Sequence, residues 1–279
     1  MFWRFAIPTL VALAALTASP AARAADFSPP MPPPAREVSD NWYLRGFVGV
    51  GMTQANQIEY LRNPANSNDF SFDHSSISNS NFIGGGIGYE WNSWLRFDVT
   101  GEYRAKTQVN AVGHYTQSCT LGDGITPAGY CLDTYQGYVS SWVFLANSYV
   151  DLGTWWCLTP FVGAGIGTAR NSMADFTDIG IPTGGTGFGR NTSEWHMAYA
   201  LYAGLAFDVS KNLKVDLSYR YLNFGSITET VDCTAGCNPD SFKFGNLYSH
   251  DIMLGLRWTC CEAPQAPRYV DTPPLHSKG

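Results

Sequence analysis

Residues 95–106 read Leu-Arg-Phe-Asp-Val-Thr-Gly-Glu-Tyr-Arg-Ala-Lys, and their odd and even positions separate by chemistry. Leu95, Phe97, Val99, Gly101, Tyr103 and Ala105 form one set; Arg96, Asp98, Thr100, Glu102, Arg104 and Lys106 form the other. Successive side chains of a strand point to opposite faces, so this stretch is a ribbon with one apolar and one polar, largely ionic side. A helix would mix the two sets. A soluble sheet buries the apolar face and hydrates the ions. A membrane barrel does the reverse, with lipid outside and paired ions within. Repetition of the pattern at one length decides between them.

The pattern repeats. Eight strands are expected, at 42–52, 82–91, 95–106, 142–152, 158–168, 195–209, 213–222 and 248–258. Most have the length that crosses a hydrocarbon layer when tilted, about 9–11 residues. The segments between them run 29, 3, 35, 5, 26, 3 and 25 residues, long and short in strict alternation. An eight-stranded, antiparallel, up-and-down barrel produces that alternation, with three short turns on the periplasmic side and four long loops on the cell surface. A compact soluble domain rarely carries even one structureless loop of such length.

Charge and tryptophan point the same way. Charged residues are 14% of the chain, against roughly 25% in ordinary soluble domains. The apolar parity of the eight strands contains none of them, as expected where Lys or Arg at mid-depth would cost about 2–4 kcal/mol. Trp42, Trp91, Trp94, Trp155, Trp156 and Trp258 gather at the short-turn end, and Trp142 and Trp195 at the long-loop end. Indoles prefer the membrane–water interface, which makes two girdles. A lipocalin-like soluble barrel has no reason to place Trp so.

The ionic parity then faces the lumen. It brings in Arg45, Arg96, Arg104, Lys106, Lys214, Arg220 and Arg257, opposite Glu90, Asp98, Glu102, Asp151, Asp208, Asp216 and Asp251. Eight strands enclose just enough room for side chains, and an unpartnered buried charge is strongly destabilising. Matched numbers therefore predict an ion-paired, plugged interior, with Gly84, Gly86, Gly88, Gly163, Gly165 and Gly167 making room for the long side chains.

The ends carry other signals. Arg4, the apolar run 7–16 and Ala22-Arg23-Ala24 make 1–24 a secretory signal peptide. Pro29, Pro30, Pro32, Pro33 and Pro34 make 25–41 an extended periplasmic spacer, the barrel occupies 42–258, and 259–279 is a second Pro-rich periplasmic tail. No other run of about 18 apolar residues offers a helical span. A net charge of −6 gives no support to nucleic-acid binding.

Weaker motifs have plain readings. Gly163-Ala-Gly165-Ile-Gly167 lacks the helix that a phosphate loop needs. Cys119 and Cys131 share one long loop and Cys233 and Cys237 another, so disulfides are expected in an oxidising compartment, with connectivity open. Cys157, Cys260 and Cys261 lie at the short-turn end. Ser249, His250, His74 and Ser76 suit a rim enzyme only if a nucleophile meets a base and an orienting partner, and the sequence contains no identifiable triad. No metal site and no cofactor are expected.

The stretch 144–156, Phe-Leu-Ala-Asn-Ser-Tyr-Val-Asp-Leu-Gly-Thr-Trp-Trp, with 159–167, Thr-Pro-Phe-Val-Gly-Ala-Gly-Ile-Gly, resembles small outer-membrane β-barrel surface proteins of alphaproteobacteria. The segment 249–258 is similar to their last strand, although here the chain continues past Trp258. The resemblance implies a bacterial outer-membrane barrel touching lipid and lipopolysaccharide, and a role in envelope integrity or host-surface contact, some members binding haem. The expected function is structural and surface-presenting. A narrow porin-like channel, a loop-borne receptor or adhesin for an extracellular ligand, and a lipid-modifying enzyme are the alternatives. The tails suit peptidoglycan or a periplasmic partner.

Overall fold

The computed structural model describes residues 41–61, 70–115, 131–181, 184–233 and 240–259. The expected signal peptide (1–24) and spacer (25–40) and the expected tail beyond Thr259 lie outside them. Ten strands make up the described elements: β1 (Trp42–Tyr60), β2 (Phe70–Ile77), β3 (Ser80–Glu90), β4 (Leu95–Tyr115), β5 (Cys131–Asp151), β6 (Leu158–Ile181), β7 (Thr186–Gly189), β8 (Ser193–Ser210), β9 (Leu213–Cys233) and β10 (Asp240–Thr259). Antiparallel pairing runs β1–β3–β4–β5–β6–β8–β9–β10. The register from Tyr43↔Thr259 to Tyr60↔Phe242 then joins β1 to β10 and closes the circuit. The two short strands stand above it: β2 pairs with β4, and β7 bridges β6 and β9.

Strand length is the first departure from expectation. β4, β5 and β9 have 21 residues each and β6 has 24, about twice what a crossing needs. Much of each segment expected to be loop is strand, rising beyond the long-loop girdle as a collar.

The collar inverts the polarity of the barrel below it. Between the girdles Val99, Ile166, Leu217 and Leu254 face outward, while Arg96, Asp98, Arg220 and Asp251 are buried. In the collar the buried residues include Val109, Ala111, Tyr135, Met173, Phe176, Val231, Phe242 and Phe244. Lipid solvates apolar side chains and water does not, so on leaving the membrane the greasy set must turn inward. With a side-chain period of two, reversing a strand takes an odd residue, a β-bulge; β5 needs none, since its odd positions stay buried from Tyr135 to Tyr149. In β4 the pairing slips between Arg104 and Thr107. In β6 the bulge falls at Asp175, which has φ 53°. In β9 and β10 the slips flank Gly225, at φ 90°, and Asn246, at φ 50°. Gly225 suits its place twice over, because its φ is left-handed and a Cβ there would collide with His196.

The β4 bulge corrects one expected lumen residue. Lys106 belongs to the ionic parity in sequence, but the extra residue after Arg104 turns it outward. Its ammonium meets Asp175, at the β6 bulge, at 3.6 Å in solvent.

Candidate functional site

Two decks of ions fill the lumen between the girdles. The deck nearer the collar is a four-residue cluster. Arg104 grips Asp251 with both terminal nitrogens, each at 2.9 Å. Arg220 Nε and Nη2 donate to the same carboxylate at 2.9 and 2.6 Å. Arg220 also forks onto Glu102 at 2.7 and 2.8 Å, and Arg104 Nη1 reaches Glu102 at 3.3 Å. Ser249 Oγ donates to Asp251 at 2.6 Å, and Arg104 Nη2 reaches Ser80 and Ser249. Both guanidinium groups lie over the Phe82 ring, at 4.7 and 5.0 Å. β4 and β9 are four steps apart on a circuit of eight, so the Arg220–Glu102 pair spans the full bore.

The deck nearer the short turns is tied by neutral groups that a search for formal charge does not find. Asp98 accepts from Arg45 Nη1 at 3.0 Å, Tyr43 Oη at 3.1 Å and Asn147 Nδ2 at 2.7 Å. Arg45 also donates to Tyr149 Oη at 2.6 Å, and Tyr202 Oη donates to Asn147 Oδ1 at 3.0 Å. Gly163 opposes Tyr149, and a Cβ there would strike its ring. Arg257 holds Asp216 through Nε and Nη2, with Glu90 at 3.5 Å. Arg96 pairs with Asp151 at 3.2 Å and packs on Tyr149 and Phe161, 4.2 and 4.6 Å from the ring centres. Lys214 and Asp208 meet at 3.2 Å, half-buried at the rim.

Above the ions the collar is stoppered by rings. Tyr135 and Phe242 approach to 4.7 Å, Phe176 stacks on Tyr135 at 6.1 Å, and Phe72 and Tyr60 close on Phe242. Uncharged and high in the strands, Phe176 and Phe242 carry only the continued apolar parity as a sequence signal, and Tyr135 lies on the lumen parity of its strand.

The collar also holds ions. Burial pushes the Glu229 carboxyl above its usual range, although the Arg190 amide donates to it at 2.6 Å. The side-chain hydrogen bonds between Arg190 and Asp232 hold that carboxyl below its usual range and raise the Arg190 guanidinium.

The tryptophans point outward. Trp42, Trp91, Trp94 and Trp258 are exposed at one end and Trp142 and Trp195 at the other. Trp155 and Trp156 stand in the turn before β6, where Trp156 takes φ 51° and is 99% exposed. Cys131 is disulfide-bonded. Cys233 ends β9, and Cys119 and Cys237 lie outside the described residues. Cys157 is free and exposed. Ser249 turns into the lumen whereas His250 faces outward against Tyr219 Oη at 2.6 Å, so these neighbours do not form a nucleophile–base pair. Among the described residues no cluster of metal-ligating side chains occurs.

A family model described as outer membrane protein beta-barrel domain matches residues 9–259. An uncharacterized protein of Brucella suis biovar 1 is 32% identical over 251 residues, 82% of this chain and 87% of its own length. A Rickettsia conorii protein named as a candidate adhesin is 29% identical over 228 residues, 79% of this chain and 83% of its own. Among solved structures, the outer membrane protein OprG from Pseudomonas aeruginosa aligns with a TM-score of 0.47 at 11% identity, covering 78% of this chain and 96% of that one.

Proposed function

This chain belongs to the outer membrane protein β-barrel domain family, a protein of the bacterial outer membrane, and on that premise we propose a sealed, non-enzymatic barrel that stiffens the envelope and presents its collar at the cell surface. The Arg220–Glu102 brace across the bore carries this reading. An ion entering the lumen has to break a buried, bidentate pair, and the aromatic stopper closes the other mouth.

Recording from refolded protein in a planar lipid bilayer tests it. The unaltered barrel is expected to stay closed. Large, stable openings of the unaltered protein would overturn the sealed lumen in favour of a narrow pore.

A second reading is favoured by the similarity to the Rickettsia protein named as a candidate adhesin. The collar is the surface that would meet an extracellular ligand, since binding residues concentrate on segments held by a rigid scaffold. Saturable attachment of cells displaying the barrel, lost on shaving the collar with protease, supports it. The tails, in this reading, contact peptidoglycan or a periplasmic partner. Envelope attachment unchanged by truncation after Trp258 removes that part.

A further inference from the structure

The outward face of β5 and β6 carries an arrangement that neither lumen nor collar uses. Arg170 continues the outward set of Val162, Ala164 and Ile166, and it is exposed. Among the described residues it has no hydrogen-bond or ion-pair partner. Its cross-strand neighbours are Trp142 and Trp195, the two tryptophans of the long-loop girdle. Phe144 stacks with both, at 6.4 and 6.3 Å. One pleat higher, Ser140, Ser172 and Ser193 form a row of hydroxyls, the last two 2.9 Å apart. Lys106 stands beside that row, its ammonium shared with Asp175.

Below Arg170, past Thr168, the wall is hollowed. Ala146, Ser148, Ala164 and Gly165 floor a shallow groove of about 340 Å³, open along its length to the lipid side, between Phe97 and Ile166. Ile166 lies four residues below Arg170 on the same strand, about 13 Å away at 3.3 Å per residue. The groove therefore runs through the zone of acyl chains while Arg170 sits at the level of the headgroups.

A cation at that depth, without a protein anion of its own, is stabilised by an anion that the membrane supplies. The chain is acidic overall, at −6, so a basic spot here is not a sample of a basic surface. We propose that this face binds one phosphorylated lipid of the outer leaflet. Its phosphate docks on Arg170, with the Ser172 hydroxyl beside it, while Lys106 stays neutralised by Asp175, and an acyl chain lies in the groove beneath. This rests on the outer-membrane placement, with the collar outward, and not on the sealed lumen.

The test uses full-length protein folded in detergent and native mass spectrometry, with bisphosphorylated lipid A and its dephosphorylated form as probes. The unaltered barrel is expected to retain one phosphorylated lipid and to hold the dephosphorylated form about tenfold more weakly, the worth of one charge-assisted contact. Arg170→Gln is expected to make the two forms equal. Ala164→Leu, which fills the groove from the lipid side, weakens both. Heat-modifiable gel mobility verifies that each variant is folded. Equal retention of both lipids by the unaltered protein, or a preference that survives Arg170→Gln, overturns the site. So does full displacement of the lipid by free inorganic phosphate at equal concentration. Large openings in the bilayer recording overturn the sealed lumen and leave this result standing.

Discussion

Replacing Asp251 by Asn removes one charge from the lumen and almost no volume. In the parent protein this carboxylate takes four hydrogen bonds from Arg104 and Arg220, between 2.6 and 2.9 Å. All three side chains are at most 3% exposed. Arg104, Arg220, Glu102 and Asp251 sum to zero, and the substitution leaves one buried positive charge without a counterion. Breaking a buried pair from one side costs about 3–5 kcal/mol, and Asn keeps only a neutral acceptor. Asp251→Asn should therefore destabilise the folded barrel by about 3 kcal/mol. Adding Arg104→Gln restores neutrality, so the double variant should lose about 2 kcal/mol less than the sum of the singles. Urea unfolding of protein folded in lipid vesicles, followed by tryptophan fluorescence and extrapolated linearly to water, measures all four corners of the cycle. A loss below about 1 kcal/mol for Asp251→Asn, or strict additivity in the double variant, refutes the claim that the cluster acts as one electroneutral unit.

Two further tests address the collar and the orientation. Burial raises the Glu229 carboxyl, so its contribution to stability is present in full below the ordinary carboxylate range and is lost as pH rises through the raised value. Asp232 is held down by the hydrogen bonds from Arg190, so its contribution persists above that range and disappears only in stronger acid. Hydrogen exchange over 186–193, corrected for intrinsic rate, should thus slow as pH falls from neutrality through that raised value; unchanged or faster exchange contradicts the sign. Cys157, exposed in the turn before β6, should react with a membrane-impermeant maleimide only after the outer membrane is permeabilised. Labelling of that peptide on intact cells would reverse the assignment of turns and collar.

The membrane-spanning half was legible because formal charge is the strongest marker of a side-chain face. Alternation in β4, β9 and β10 sets Glu102, Arg104, Arg220 and Asp251 on one parity, and all four are buried, whereas Lys106 on the same parity is not. Tyr43, Asn147, Tyr149 and Tyr202 carry no such mark, since uncharged polar residues occur on both faces of a barrel wall. The collar was harder still. Along β4 the odd positions stay apolar or small from Leu95 through Val109 and Ala111, with no break in period where the environment changes from lipid to water. Only the length of the run, too great for one crossing, signals that its upper part must turn about. The residue that makes the turn, beside Lys106, has no signature of its own. Asp175, Gly225 and Asn246 tolerate a left-handed backbone, yet so do many loop residues.

The reversed wall also fixes how deep the protein can ride. Sinking by one pleat would drag Lys106, Gln108 and Gln136 toward hydrocarbon, and rising would pull the indoles of Trp91 and Trp94 off their interface. The bulges thus work as a flange, seating the cylinder at one height. From Thr107 to Tyr115 the strand climbs about 25 Å beyond that seat, or roughly 20 Å after tilt. Whatever touches these strand ends from outside does so well clear of the bilayer, at a height that backbone geometry sets.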